Sequence, residues 1–149
     1  SKGSSSSSTP GSWKAASTTE RRLLIPWLNP EVTRWAVGGH SLGGVRACTY
    51  AANEPVRVAG LVLLGSYCND DVSGTTLPVL SIGGSRDGFS TPEDIRDAAH
   101  LLPADATFVE IEGMNHSQFG AYGDQPGDNT ATIDDEAART AVTQAFDHP

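Results

Sequence analysis

The run Trp35-Ala36-Val37-Gly38-Gly39-His40-Ser41-Leu42-Gly43-Gly44 constrains this chain more than any other part of it. An apolar, strand-like segment breaks into a Gly-x-Ser-x-Gly turn, after which Leu42 to Asn53 reads as a helix. That helix puts Val45, Cys48, Thr49 and Ala52 on its inner face and is stopped by Pro55. A serine on a sharp strand-to-helix turn sits on strained backbone with a helix packed close beneath it, so its neighbours have to be small; Gly39 and Gly43 fill those places. Ser41 is therefore a candidate nucleophile. The start of the helix faces it, and the Leu42 backbone N–H is a candidate donor to any oxyanion formed there.

The rest of the chain fits a parallel sheet. Val58-Ala59-Gly60-Leu61-Val62-Leu63-Leu64 is apolar without alternation, as expected of a strand buried on both faces, and Leu77 to Ile82 behaves likewise. With Arg34 to Gly38 and Ala106 to Glu112 these make four strand candidates. Thr91-Pro92-Glu93-Asp94 is a capping signature with Pro at the first helical position, opening a helix that Leu101-Leu102-Pro103 closes. Asp134 and the acids after it start a final helix, in which Ala138, Ala141, Val142, Ala145 and Phe146 form one apolar face. Thr19 to Leu28 reads as a short helix ended or kinked by Pro26. The resulting order is β-α-β-β-α-β-α, an α/β pattern with a mostly parallel sheet flanked by helices.

Chemistry-bearing residues fall at the carboxyl ends of these strands, where open α/β sheets bind ligands. Asp87 follows Ser41 by 46 positions and His116 follows Asp87 by 29, so the order is Ser, Asp, His. A serine hydroxyl needs a base to remove its proton as it attacks a carbonyl, and His116 is the candidate. Asp87 would hold the imidazole in the required tautomer. Asp94 competes for that role, but a capping position suits it and Asp87 is favoured. Of the other histidines, His40 packs or hydrogen-bonds locally beside Ser41, while His100 and His148 lie in a helix and at the tail. Phe119, Tyr122 and Gln125 either shape a pocket or brace the histidine loop.

Val37 to Gly44, Leu77 to Gly88 and Ile111 to Asp128 resemble the nucleophile, acid and histidine blocks of the alpha/beta-hydrolase superfamily. Gly113-Met114-Asn115-His116-Ser117-Gln118-Phe119-Gly120-Ala121-Tyr122-Gly123-Asp124-Gln125-Pro126-Gly127-Asp128 is similar to a lidless, dienelactone-hydrolase-like subgroup with an N-H-x-x-F-G-x-Y-G-x-Q-x-G-D tail. The resemblance covers about Arg34 to the C-terminus. It implies a partial alpha/beta-hydrolase fold lacking the N-terminal strands. It also implies a serine hydrolase that acts on a small ester or thioester through an acyl-enzyme, with catalytic Ser41, Asp87 and His116, Leu42 in the oxyanion hole, and no cofactor. Relatives with haloalkane or epoxide chemistry place Asp where Ser41 stands, which disfavours that activity. The alternative is an inactive hydrolase fragment serving as an interaction or assembly unit.

Ser1 to Ser12 is low-complexity and lacks apolar periodicity, so residues 1–18 are expected to be a disordered arm and residues 19–149 the partial hydrolase domain. With no strands preceding Trp35, the chain reads as a fragment whose Trp35 to Gly38 edge would be unpaired and open to self-association. Ten basic residues against 18 acidic ones give a net charge of −8, and no Lys/Arg cluster is present to neutralise phosphates, so nucleic acid is not an expected partner. No run approaches the ~18 apolar residues of a membrane span or resembles a secretory signal, which favours a cytoplasmic protein. Cys48 and Cys68 have no metal-ligand spacing and are expected to be buried thiols rather than a disulfide.

Overall fold

The structure, a computed structural model, describes residues 16–17 and 33–147. Strands β1 (Ala16–Ser17), β2 (Trp35–His40), β3 (Val58–Leu64), β4 (Val79–Gly84) and β5 (Thr107–Ile111) form one sheet in sequential order. Every neighbouring pair is parallel. Helices α1 (Leu42–Asn53), α2 (Pro92–Asp97) and α3 (Asp135–Phe146) complete the fold.

Sequential parallel order advances in one direction, so right-handed crossovers put their helices on the same face of the sheet. Helix α1 accordingly packs Ala47, Cys48 and Ala51 with Val37, Leu61 and Leu63, so that of the expected inner face of Val45, Cys48, Thr49 and Ala52 only Cys48 is fully buried and Thr49 is exposed. The opposite face belongs to α3, whose Ala138 and Ala145 meet Val62, Leu80 and Ile82. Adjacent side chains of β3 therefore point into two different cores, and this is why its sequence shows no polar alternation. Leu61, Val62 and Leu63 are all fully buried, each such side chain contributing about 1.5–3 kcal/mol.

Helix α1 and strand β3 have the bounds expected from the sequence and the other strands shift by one or two residues, whereas the helix expected to run to Leu101-Leu102-Pro103 ends at Asp97 and is followed by a 3-10 turn over Ala99–Leu101. Strand β2 runs on to His40, which brings Ser41 to the last point of the strand. β4 starts at Val79, because Pro78 has no N–H for the ladder; the Pro78 carbonyl still accepts from Leu61 N at 2.9 Å. The Thr91 capping box forms as expected, with Asp94 as its return partner, and Asp134 caps α3. Among the described residues no helix is long and apolar enough to cross a membrane.

Three further expectations need correction. Ala16 and Ser17, assigned to a disordered arm, instead form β1 and pair with Val37 and Gly38. The sheet thus has a fifth strand, and the edge expected to be bare from Trp35 to Gly38 is covered over those two residues. Residues 1–15 and the helix expected over Thr19 to Leu28 lie outside the described residues. Finally, Cys48 and Cys68 are joined by a disulfide, with Cα atoms 5.6 Å apart. Cys48 lies on the buried face of α1, and the chain leaving β3 passes directly over that face. A spacing of 20 residues carries no sign of this crossing.

Closing a loop of this length removes chain entropy from the unfolded state. Reduction, or the Cys48→Ala/Cys68→Ala double variant, is expected to lower the unfolding free energy by about 3 kcal/mol in denaturant titrations. An unchanged midpoint under reducing conditions would show that the bridge does not contribute.

Candidate active site

Ser41 has φ 56° and ψ −123°, and it is the one non-glycine residue with positive φ among the described residues. Several hydrogen bonds hold this strained turn. Ser41 N donates to the Leu64 carbonyl of β3 at 3.2 Å, and the Ser41 carbonyl accepts from Gly44 N (3.0 Å) and Val45 N (3.3 Å). The Ser66 hydroxyl donates to the same carbonyl at 2.6 Å. Tight packing accounts for Gly39, where a Cβ would come within 2.8 Å of Gly44 N, and for Gly44, where it would stand 2.6 Å from the Ser66 Cβ. At Gly43 a Cβ would meet nothing within 4 Å, so the second position requiring glycine is Gly44 and not Gly43. Leu42 opens α1, where a backbone N–H has no intrahelical partner, and its side chain is 57% exposed.

The loop after β4 carries Asp87, which is fully buried. Its Oδ1 accepts from Phe89 N (2.8 Å) and Ser90 N (2.7 Å). Its Oδ2 accepts from His116 Nδ1 at 2.8 Å, and His116 is itself buried. Burial pushes the Asp87 carboxyl above its usual value, opposed by the hydrogen bonds from His116, Ser90 and Phe89. The structure brings Asp87, and not Asp94, to His116: the Asp94 carboxylate accepts from Thr91 N (3.2 Å) while Asp94 N donates to the Thr91 hydroxyl (3.0 Å). The carboxylate at Nδ1 favours the tautomer of His116 that carries its proton on that nitrogen.

His40 connects the two halves of the site. Its ring lies 4.4 Å from that of His116, 5.5 Å from Phe119 and 5.7 Å from Tyr122. Phe89 approaches His116 edge-on at 5.1 Å. His40 Nε2 is buried without a hydrogen-bond partner, as is Gln125 Oε1. Burial, reinforced by the neighbouring His116, lowers the His40 pKa from 6.5 to about 4, so the ring is neutral at ordinary pH. Phe119 supports the histidine loop from the core side, whereas Tyr122 is more than half exposed and adds to the rim. His100 lies away from this cluster, its Nδ1 2.9 Å from the Asp97 carbonyl, and His148 lies outside the described residues.

Three polar residues around His116 were not singled out from the sequence. The Asn115 side chain donates to the Asn129 carbonyl at 2.8 Å and accepts from the Ser117 hydroxyl and Gln118 N. Gln118 accepts from Asn115 N and donates to the Ile133 carbonyl and Asp135. Asp128 accepts from backbone N–H groups of both the Asp87 and the His116 loops. Their only trace in the sequence is membership of the tail that follows His116. Among the described residues no three His, Cys, Asp or Glu side chains are grouped to hold a metal ion. A cavity of about 460 Å³ between α2 and β5, lined by Ser81, Ile95 and Phe108 among others, includes none of Ser41, Asp87 and His116.

A family model described as "Alpha/beta hydrolase family" matches residues 18–140. No curated protein matches the sequence. Among solved structures, an alpha/beta hydrolase enzyme from the metagenome of lagoon sediments at Mar Chica, Morocco, is 18% identical over 93% of this chain and 73% of its own, with a TM-score of 0.60. A thermophilic esterase from Thermogutta terrifontis is 15% identical over 83% of this chain and 70% of its own, with a TM-score of 0.54. A serine hydrolase without a lid from Xanthomonas campestris is 23% identical over 63% of this chain and 43% of its own, with a TM-score of 0.50. These likenesses show the fold, of which this chain carries a part: a parallel sheet flanked by helices.

The neutral His40 has a measurable consequence. Between pH 6.5 and about 4 the unfolded chain takes up a proton that folded His40 refuses, so stability falls as pH drops through that window. His40→Phe keeps the ring stack without the titration. Its thermal midpoint is expected to fall less than that of the parent chain across the window, and parallel pH profiles would contradict the assignment.

Proposed function

The chain belongs to the alpha/beta hydrolase family, and from that premise we propose that it is a serine hydrolase cleaving small esters or thioesters through an acyl-enzyme. In this reading Ser41 attacks the carbonyl, His116 takes the hydroxyl proton and returns it to the leaving group, and Asp87 orients the imidazole and stabilises its charged form. Water then attacks the acyl-enzyme with His116 again as base. The observation that carries the reading is the buried 2.8 Å contact between Asp87 and His116, made next to a strained serine whose preceding residue, His40, lies against the His116 ring.

The Leu42 N–H is the proposed donor to the tetrahedral oxyanion, because it follows the nucleophile and begins α1. The rim supports a substrate with a small apolar group. Leu42, Phe89 and Tyr122 are three of the five large apolar side chains most exposed among the described residues, and all three stand at this site. Exposed apolar area gathered at one place marks a binding surface more often than chance exposure does.

A fluorophosphonate probe is expected to label Ser41, and Ser41→Ala to lose labelling and short-chain ester turnover together. Asp87→Asn is expected to keep the fold while kcat falls on the order of 10⁴-fold, because the wrong His116 tautomer is then favoured. Labelling of a different serine, or full turnover by Ser41→Ala, would discard the assignment. An unimpaired Asp87→Asn beside a failing Asp94→Asn would transfer the acid role.

A further inference from the structure

We propose that Asp128 is a positioning residue that locks the Asp87 loop and the His116 loop in register; this role rests on His116 acting as the base in the proposed hydrolysis. The Asp128 carboxylate lies at the root of both loops. Its Oδ1 accepts from Gly88 N (2.9 Å), His116 N (3.3 Å) and Asn129 N (2.9 Å), and its Oδ2 accepts from Ser117 N (2.9 Å). Gly88 directly follows Asp87. One carboxylate thus binds the backbone within one residue of each partner in the 2.8 Å Asp87–His116 contact.

The chemistry of the four donors requires a carboxylate. An ionised carboxylate offers about four lone-pair sites and no donor, whereas an amide with its oxygen in the place of Oδ1 would turn its NH2 group toward the Ser117 N–H. Burial pushes the Asp128 carboxyl up, but the N–H groups of Gly88, Ser117, His116 and Asn129 outweigh it, and its pKa lies below the usual value. With the folded value depressed, the clamp is fully made at neutral pH and is lost only as pH falls through that lowered value.

Backbone packing supports the same reading independently. A Cβ on Gly88 would lie 2.8 Å from the Gly127 carbonyl and 3.0 Å from Asp128 Cα and Asn129 N. Gly127 has φ +96°, a conformation that glycine adopts without strain. Asp87-Gly88 and Gly127-Asp128 therefore interlock as two Gly/Asp pairs in reversed order. The segment after Asp128 is fastened to the same loops, through Asn115 Nδ2 to the Asn129 carbonyl (2.8 Å) and Arg86 Nε to the Thr130 carbonyl (3.0 Å).

The test uses the full chain and two readouts: steady-state ester kinetics, and the downfield proton NMR signal of His116 Nδ1–H held by Asp87. Asp128→Asn is expected to lower kcat by about 10- to 100-fold, the scale of a misplacement near 1 Å, with KM changed by less than a few-fold. The His116 signal should broaden or shift, and Asp128→Glu should recover part of both effects. Gly88→Ala retains the carboxylate but wedges a methyl against the Gly127 carbonyl, and it should reproduce the pattern if Asp128→Asn does not fold. Either variant, folded with the His116 signal and kcat of the parent chain, would overturn the proposal, as would a lowered melting temperature with both readouts unchanged. The NMR signal does not depend on turnover. Should the parent chain hydrolyse no ester, the hydrolase reading fails while the clamp between the loops is still decided.

Discussion

Two-sided burial of β3 and β4 is the constraint on which the remainder of the structure depends. A strand with Leu61 and Leu63 on one face and Val62 on the other cannot border water on either side, so both faces of the sheet must be covered. Helix α1 covers one and α3 the other. Because α3 reaches its face only after the chain has left β5, the segment between β5 and α3 must cross the carboxyl ends of the strands. That segment carries His116, Asp128 and the hydrogen bonds joining them to the Asp87 loop. The candidate site is thus assembled along the route by which the last helix returns to cover the sheet.

Acidic groups at the site are handled by backbone rather than by cations. Asp87 accepts two N–H groups from the residues just after it, and Asp128 accepts four from the two loops and its own neighbour. Backbone donors are fixed by the fold and carry no formal charge, so they hold a carboxylate in place without neutralising it. A paired arginine would place a competing positive charge next to the imidazole that Asp87 supports. The same economy applies at the nucleophile, where the Ser66 hydroxyl and helical N–H groups converge on the Ser41 carbonyl.

Much of this was legible in the sequence because it depends on local patterns. The unbroken apolar run from Val58 to Leu64, the Thr91 capping box and the Gly-x-Ser-x-Gly turn each specify their structure within about ten residues. Asp87 and His116 could be placed together because parallel strands deliver their carboxyl ends to one edge. What could not be read depended on chain crossings. The Cys48–Cys68 bridge forms where the segment after β3 passes over α1, and β1 is too short to carry a periodic pattern. Asp128 was visible as part of a motif, but four backbone donors converging from two loops leave no mark on residue identity. The requirement for glycine fell at Gly44 and not Gly43 because Ser66, 22 positions further on, fills the space beside it.

The backbone of Ser41 bears on how this position persists under mutation. A serine at φ 56°, ψ −123° occupies a region that glycine enters freely and other residues enter at a cost of about 1–3 kcal/mol. Random substitution followed by selection for folding alone would drift toward glycine here, because each step in that direction releases strain. A chain that keeps a side chain at such a position does so against that drift, with the hydrogen bonds around the Ser41 carbonyl holding the strained turn.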